Sequence, residues 1–205
     1  MAQEIRSQLT QAAAGEAGLL RLEIPERLPA LTRVICSCPE CACVPLASAG
    51  HSLHCPACGA SFRAAGGGRL CRVPPGGGVE TDLSLHELFS RMVSRIEART
   101  RSGLPLEVAV EAAEVGADSP PAHAIPFGPA SARLDRSGIR IRTASRVLRL
   151  PLETVAGSAM MGSEMLEIPN GRPGSVVYVR APGGAMRILL TARAYLGLPF
   201  DSMNL

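Results

Sequence analysis

Hydrophobic positions recur along this chain with two different periods. Between Ser84 and Arg101, Leu85, Leu88, Phe89, Met92, Val93 and Ile96 are spaced by threes and fours, the stripe of a helix that buries one face. Ser84 and Glu87 form a capping box that fixes where this helix begins. Arg91, Arg95, Arg99 and Arg101 lie mostly off the stripe. Docking on a core is the expected use of the apolar face; contact with a partner or a membrane surface is the alternative.

From residue 130 onward the period is two. Ala132–Asp135, Ile139–Thr143, Val147–Leu152, Thr154–Met160, Met165–Ile168, Ser175–Arg180 and Met186–Leu190 read as short strands. Turn residues separate them, as at Arg136-Ser137-Gly138 and Pro182-Gly183-Gly184. Thr191 can cap a short closing helix, Ala192–Leu196. Several strands at such spacing predict an antiparallel barrel or sandwich. Residues 104–117 fit either element: Leu106, Val108 and Val110 alternate, while Val108, Ala112 and Val115 keep helical spacing. Upstream, residues 1–18 predict a short helix and 19–24 a strand, ended by Pro25 and Pro29. Residues 65–83, with Gly66-Gly67-Gly68 and Pro74-Pro75-Gly76-Gly77-Gly78, read as a flexible connector.

Seven cysteines change the picture. Cys38-Pro39-Glu40-Cys41 and Cys55-Pro56-Ala57-Cys58-Gly59 are two C-x-x-C hooks flanking a hairpin-sized insert. Each hook offers two thiolates from one turn, and four thiolates make a tetrahedral metal site. Pro presets the turn, and Gly59 can adopt a positive φ after the last ligand. Cys38, Cys41, Cys55 and Cys58 are therefore the expected ligands of one structural Zn²⁺; a single iron or a redox dithiol are the alternatives. An odd cysteine count argues against a full set of disulfides. Cys36 and Cys43 flank the first hook, and His51 and His54 precede the second, so a ligand exchange is open. Val44–Leu46, Leu53–His54 and Ser61–Arg63 are the expected strands around the site, with Phe62 covering it.

Charge adds a second feature. All 21 basic residues are Arg. Residues 130–205 hold 10 of them against 5 acids, while residues 1–129 hold 11 against 13. This asymmetry points to an anionic partner for the C-terminal part. Alternation places Arg140 and Arg142 on the face opposite Ile139 and Ile141, with Arg146 and Arg149 following. These four arginines form a candidate patch for phosphate or carboxylate groups; the other reading is a solvated face that protects a sheet edge.

No catalytic set emerges. The four histidines lie in no recognised motif, and G-x-S-x-G, H-E-x-x-H and phosphate-loop patterns are missing. Cys71 with His86 is the nearest to a nucleophile and base, and nothing in the sequence joins them. No run of eighteen apolar residues occurs, and the first residues lack the apolar block of an export signal, so a cytoplasmic location, with a possible peripheral membrane role, is expected.

Two resemblances follow from these residues. The C-P-x-C pairs between Cys38 and Phe62 resemble the zinc-ribbon family, which implies a structural zinc; Ala42 stands where that family usually has Gly. Gly138-Ile139, the Leu150-Pro151-Leu152-Glu153-Thr154-Val155 segment and the closing helix resemble bacterial pleckstrin-homology-like domains, which implies a β-rich binding module. The order of ribbon, amphipathic helix and barrel is also similar to the tail of some bacterial lysophospholipid acyltransferases. Their catalytic H-x-x-x-x-D is missing here, since Pro56, Gly59, Arg91 and Gly128 stand five residues after His51, His54, His86 and His123.

The expected architecture is α+β: an N-terminal segment (1–35), a zinc ribbon (36–64), a connector (65–83), an amphipathic helix with its connector (84–117) and a β-rich, pleckstrin-homology-like domain (130–205). The expected function is a non-enzymatic adaptor that binds a protein or an anionic membrane surface. Nucleic-acid binding through the ribbon and an accessory role beside a lipid-modifying enzyme are the alternatives. Residues 33–72 contain one aromatic, Phe62, and four arginines, a poor platform for bases.

Overall fold

Two antiparallel sheets carry the described residues, and one helix is buried between their cores. A computed structural model describes residues 31–32, 35–65, 69–73, 81–116, 127–161, 164–181 and 183–199; the expected helix over 1–18 and strand over 19–24 lie outside them. No helix among the described residues is long and apolar enough to cross a membrane.

The first sheet is a five-stranded meander: β1 (Ala47–Ala49), β2 (Ser52–His54), β3 (Ser61–Ala65), β4 (Arg69–Val73) and β5 (Thr81–Ser84), in sequence order. Within the stretch 65–83, read as a connector, residues 69–73 and 81–83 are instead strand, in β4 and β5. Leu70 and Leu83 are buried there, and each strand is short enough for the surrounding glycines to mask its alternation. The hairpin also begins later than expected, at Ala47.

Helix α1 (Leu85–Arg101) follows β5 without a break. The Ser84 side chain accepts the Glu87 backbone N–H, and the Glu87 carboxylate accepts the Ser84 N–H, completing the capping box. Leu88, Met92 and Ile96 are its buried stripe, packed with Leu53, Phe62, Leu70 and Leu83 over the cysteines. Phe62 is completely buried.

The second sheet has seven strands. Strands β6 (Leu106–Val115), β7 (Gly128–Asp135), β8 (Gly138–Arg142) and β9 (Val147–Leu150) form a meander. After the short helix α2 (Leu152–Ala156), β10 (Ala159–Met161), β11 (Met165–Pro169) and β12 (Val176–Arg180) form a second meander, and β12 returns to the free side of β6. The order is β10-β11-β12-β6-β7-β8-β9, with β9 and β10 as edges, so the described strands form no closed barrel. The sheet begins at Leu106 rather than 130, and the ambiguous segment is its central strand. Residues 152–156 are helical where a strand was expected: Leu152, Val155 and Ala156 reach the core at i, i+3 and i+4, the spacing of one helical turn.

Helix α3 (Ala185–Leu196) occupies the segment read as a last strand and a short helix. Every residue from Ala185 to Ala192 is buried, so no exposed polar position displays a helical period. Ala185, Ile188, Leu189 and Ala192 belong to the core of the seven-stranded sheet, with Leu106, Leu134 and Val177. Met186 and Leu190 belong to the other core, with Leu88 and Met92. Close approach requires Gly184 before the helix: a Cβ there would meet Val108 Cγ1 at 3.1 Å. At one end of the sheet, Asn170 donates to the Glu114 carboxylate at 3.0 Å and Arg146 pairs with it at 2.6 Å. That link joins the β8–β9 turn to the β11–β12 turn across the central strand.

Candidate metal centre and arginine face

Both cysteine hooks fold by the same local pattern. The Ala42 N–H donates to the Cys38 carbonyl at 2.8 Å, and the Gly59 N–H to the Cys55 carbonyl at 2.9 Å. Each turn ends in a residue with positive φ, +52° at Ala42 and +72° at Gly59. The Glu40 and Cys43 backbone amides donate to the Cys38 and Cys41 sulfurs, each at 3.4 Å. Such donors stabilise thiolate charge.

The four sulfurs converge. Cys38 Sγ lies 3.7 Å from Cys58 Sγ, and Cys41 Sγ lies 3.7 Å from Cys55 Sγ. All four ligand atoms are within 4.8 Å of one another. A disulfide needs about 2.05 Å between sulfurs. A tetrahedron with metal–sulfur bonds of about 2.3 Å has edges of about 3.8 Å, so this donor set fits a metal ion. Burial pushes the Cys38 thiol up to about 12 and raises Cys41 well above the ordinary range. At Cys55 burial also acts upward, but the amides of Cys58 and Ala57 and the Cys58 and Cys38 thiols outweigh it, and the net shift is downward.

The other candidates are placed elsewhere. Cys36 is fully buried, directs its thiol to Met92 Sδ at 3.9 Å, and is pushed to about 12 by burial. The Cys43 thiol donates to the Cys41 carbonyl at 3.4 Å, and Cys71 sits on β4 opposite Arg63 and Asp82. His51 is exposed on the hairpin and His54 is half-buried; neither belongs to the sulfur cluster.

One side chain that holds the first hook had no sequence signal. Arg187, on α3, is 5 % exposed and donates to the Ala42 carbonyl at 3.0 Å and to the Cys43 carbonyl. Arg99, on α1, donates to Cys43 Sγ at 3.6 Å. Four thiolates around a divalent ion leave two negative charges, and two guanidinium groups stand beside this hook. Burial lowers the Arg187 pKa, and the neighbouring Cys36 thiol acts in the opposite direction.

The arginine face lies on the second sheet. Ile139 and Ile141 are buried in its core, and Arg140 and Arg142 stand exposed on the other side. Register extends the face: Arg133 on β7 is opposite Arg140, and Arg140 is opposite Arg149 on β9. Three arginines therefore form one row across three strands, with Arg142 two positions along β8. Arg146 is drawn off by Glu114. Arg133 takes its place in the row, although it is paired with Glu107 at 2.9 Å. Pairing along the sequence could not show Arg133, because cross-strand register places it.

No protein-family model matches the chain, and no curated protein matches it in sequence.

Proposed function

We propose that this chain is a non-enzymatic binding module, built on a zinc ribbon, that docks on an anionic surface through the arginine face of its seven-stranded sheet. What carries the reading is the row Arg133–Arg140–Arg149 with Arg142 beside it. Like charges directly opposite across strands are unfavourable. Acids offset other arginines of this sheet: Arg133 pairs with Glu107 at 2.9 Å and Asp135 at 3.8 Å, Arg180 with Glu111 at 3.1 Å and Arg146 with Glu114. Arg140, Arg142 and Arg149 make no ion pair among the described residues, although Asp135 acts on Arg140 through space, and β8 and β9 contain no acid. Such a face attracts an external anion, at about 1 kcal/mol per arginine near an anionic membrane.

The ribbon's part is structural. Cys38, Cys41, Cys55 and Cys58 would hold the Zn²⁺, four thiolates that leave no open position for substrate. A pleckstrin-homology-like reading of residues 106–199 draws support from β12 returning to β6 and from α3 closing against the core. Nucleic-acid binding by the ribbon has less support, because Phe62 is buried and cannot stack on a base.

Vesicle sedimentation tests the reading. Wild-type protein is expected to sediment with vesicles containing phosphatidylglycerol and not with neutral ones, and Arg140→Ser/Arg142→Ser to remain in the supernatant. Equal sedimentation of the two proteins would make the face a solvating surface.

A further inference from the structure

The outer face of the seven-stranded sheet is not flat. Ala109 of β6 lies opposite Ser131 of β7, and both side chains are small. Longer side chains surround them: Glu107, Arg133, Arg140 and Arg142. The result is a depression of about 470 Å³, open on one side, with Val108 and Ala132 completing its lining. Binding sites for small molecules fall in this size range.

Its charge is specific. Three guanidinium groups face one carboxylate, and that carboxylate is engaged by Arg133. Arg140 and Arg142 make no ion pair among the described residues, although Asp135, outside the depression, acts on Arg140 through space. Ser131 is exposed, and its hydroxyl has no hydrogen-bond partner among the described residues. The depression thus offers two planar forks and one hydroxyl around a single hollow.

We infer that this depression binds a phosphomonoester. The inference rests on the reading of the arginine face as a binding surface, and it names the group that surface takes. A phosphomonoester has a charge of about −1.5 to −2 at neutral pH and three acceptor oxygens. Two guanidinium forks that make no ion pair and one exposed hydroxyl are donors of the kind that these oxygens accept. The lining holds no aromatic side chain for a base to stack on, so a phosphate on a small polyol such as glycerol serves as the probe. The same headgroup chemistry occurs in a free glycerol phosphate and on a phosphatidic acid surface, and the experiment separates these sources.

Glycerol 3-phosphate is titrated calorimetrically, and vesicles containing phosphatidic acid are compared with phosphatidylglycerol vesicles of equal charge. Arg140→Lys/Arg142→Lys keeps the charge and loses the forks. Ser131→Ala loses the hydroxyl, and Arg180→Ser removes a paired arginine from the same sheet. Saturable binding of glycerol 3-phosphate, or a clear preference for phosphatidic acid, supports the site. In either format the lysine pair should bind at least tenfold more weakly and Ser131→Ala several-fold, with Arg180→Ser unchanged. Equal binding to both vesicle types with no saturable binding of glycerol 3-phosphate overturns the site and leaves the anionic face standing. Binding of glycerol 3-phosphate without binding to either vesicle keeps the site and removes the surface-docking reading. No binding in any arm overturns both. Unchanged metal content and circular dichroism establish that each exposed variant is folded.

Discussion

Ala42 and Arg187 show how much one contact can decide. Ala42 occupies a left-handed conformation, φ +52°, at the end of the first hook, where Gly59 ends the second. A Cβ in that conformation costs about 1 kcal/mol. Ala42→Gly is therefore expected to raise stability by up to about 1 kcal/mol, and Gly59→Ala to lower it, in denaturant unfolding of the metal-loaded protein. Arg187→Met should act in the opposite direction from Ala42→Gly. It leaves the Ala42 carbonyl, which Arg187 holds, without that donor, and an unsatisfied buried group costs about 1–3 kcal/mol. Equal stability of Arg187→Met and wild type would show that the hook holds itself. The cysteine hooks were legible in the sequence because their ligand spacing is local. Arg187 was not, because its partner is 145 positions away.

At the scale of elements, legibility follows exposure. Helix α1 was readable because one face is buried and the other wet, and because its cap is written in Ser84 and Glu87. Helix α3 was not, since burial on all sides erases the contrast that reveals a period. The cap also predicts a pH effect. The Ser84 backbone N–H and hydroxyl hold the Glu87 carboxyl below the usual range. A depressed folded value means that the cap contributes fully above the unfolded pKa and is lost as pH falls through the folded one. Amide exchange in the first turn of α1 should therefore accelerate on acidification relative to the helix centre. In Glu87→Gln the exchange ratio between first turn and centre should stay flat with pH, and a ratio that still rises would assign the effect elsewhere.

The whole molecule is joined through α3, which serves the cores of both sheets. Metal should therefore matter beyond the five-stranded sheet. Protein made without added metal is expected to contain about one zinc per chain by elemental analysis, and Cys55→Ser to lose it. Chelation should expose the amides of β1 to β3 first and those of α3 with them. Slow exchange throughout α3 after complete metal removal would separate the two halves. The α+β class, the hooks and the alternating arginines were all visible in the residue pattern. The path of β12 back to β6, the register that adds Arg133 to the row and the loss of Arg146 to Glu114 arise from contacts distant in sequence. The claim on which the functional account turns is that the exposed arginines of β8 and β9 attract an anionic surface. Its most direct measurement is the salt dependence of affinity for phosphatidylglycerol vesicles, since screening weakens exposed charge pairs. Wild type should bind roughly 25-fold more tightly than Arg140→Ser/Arg142→Ser at low salt, equivalent to about 2 kcal/mol for two arginines. That advantage should shrink steadily as salt is raised. Affinities that coincide at low salt, or an advantage that salt leaves unchanged, would contradict the account.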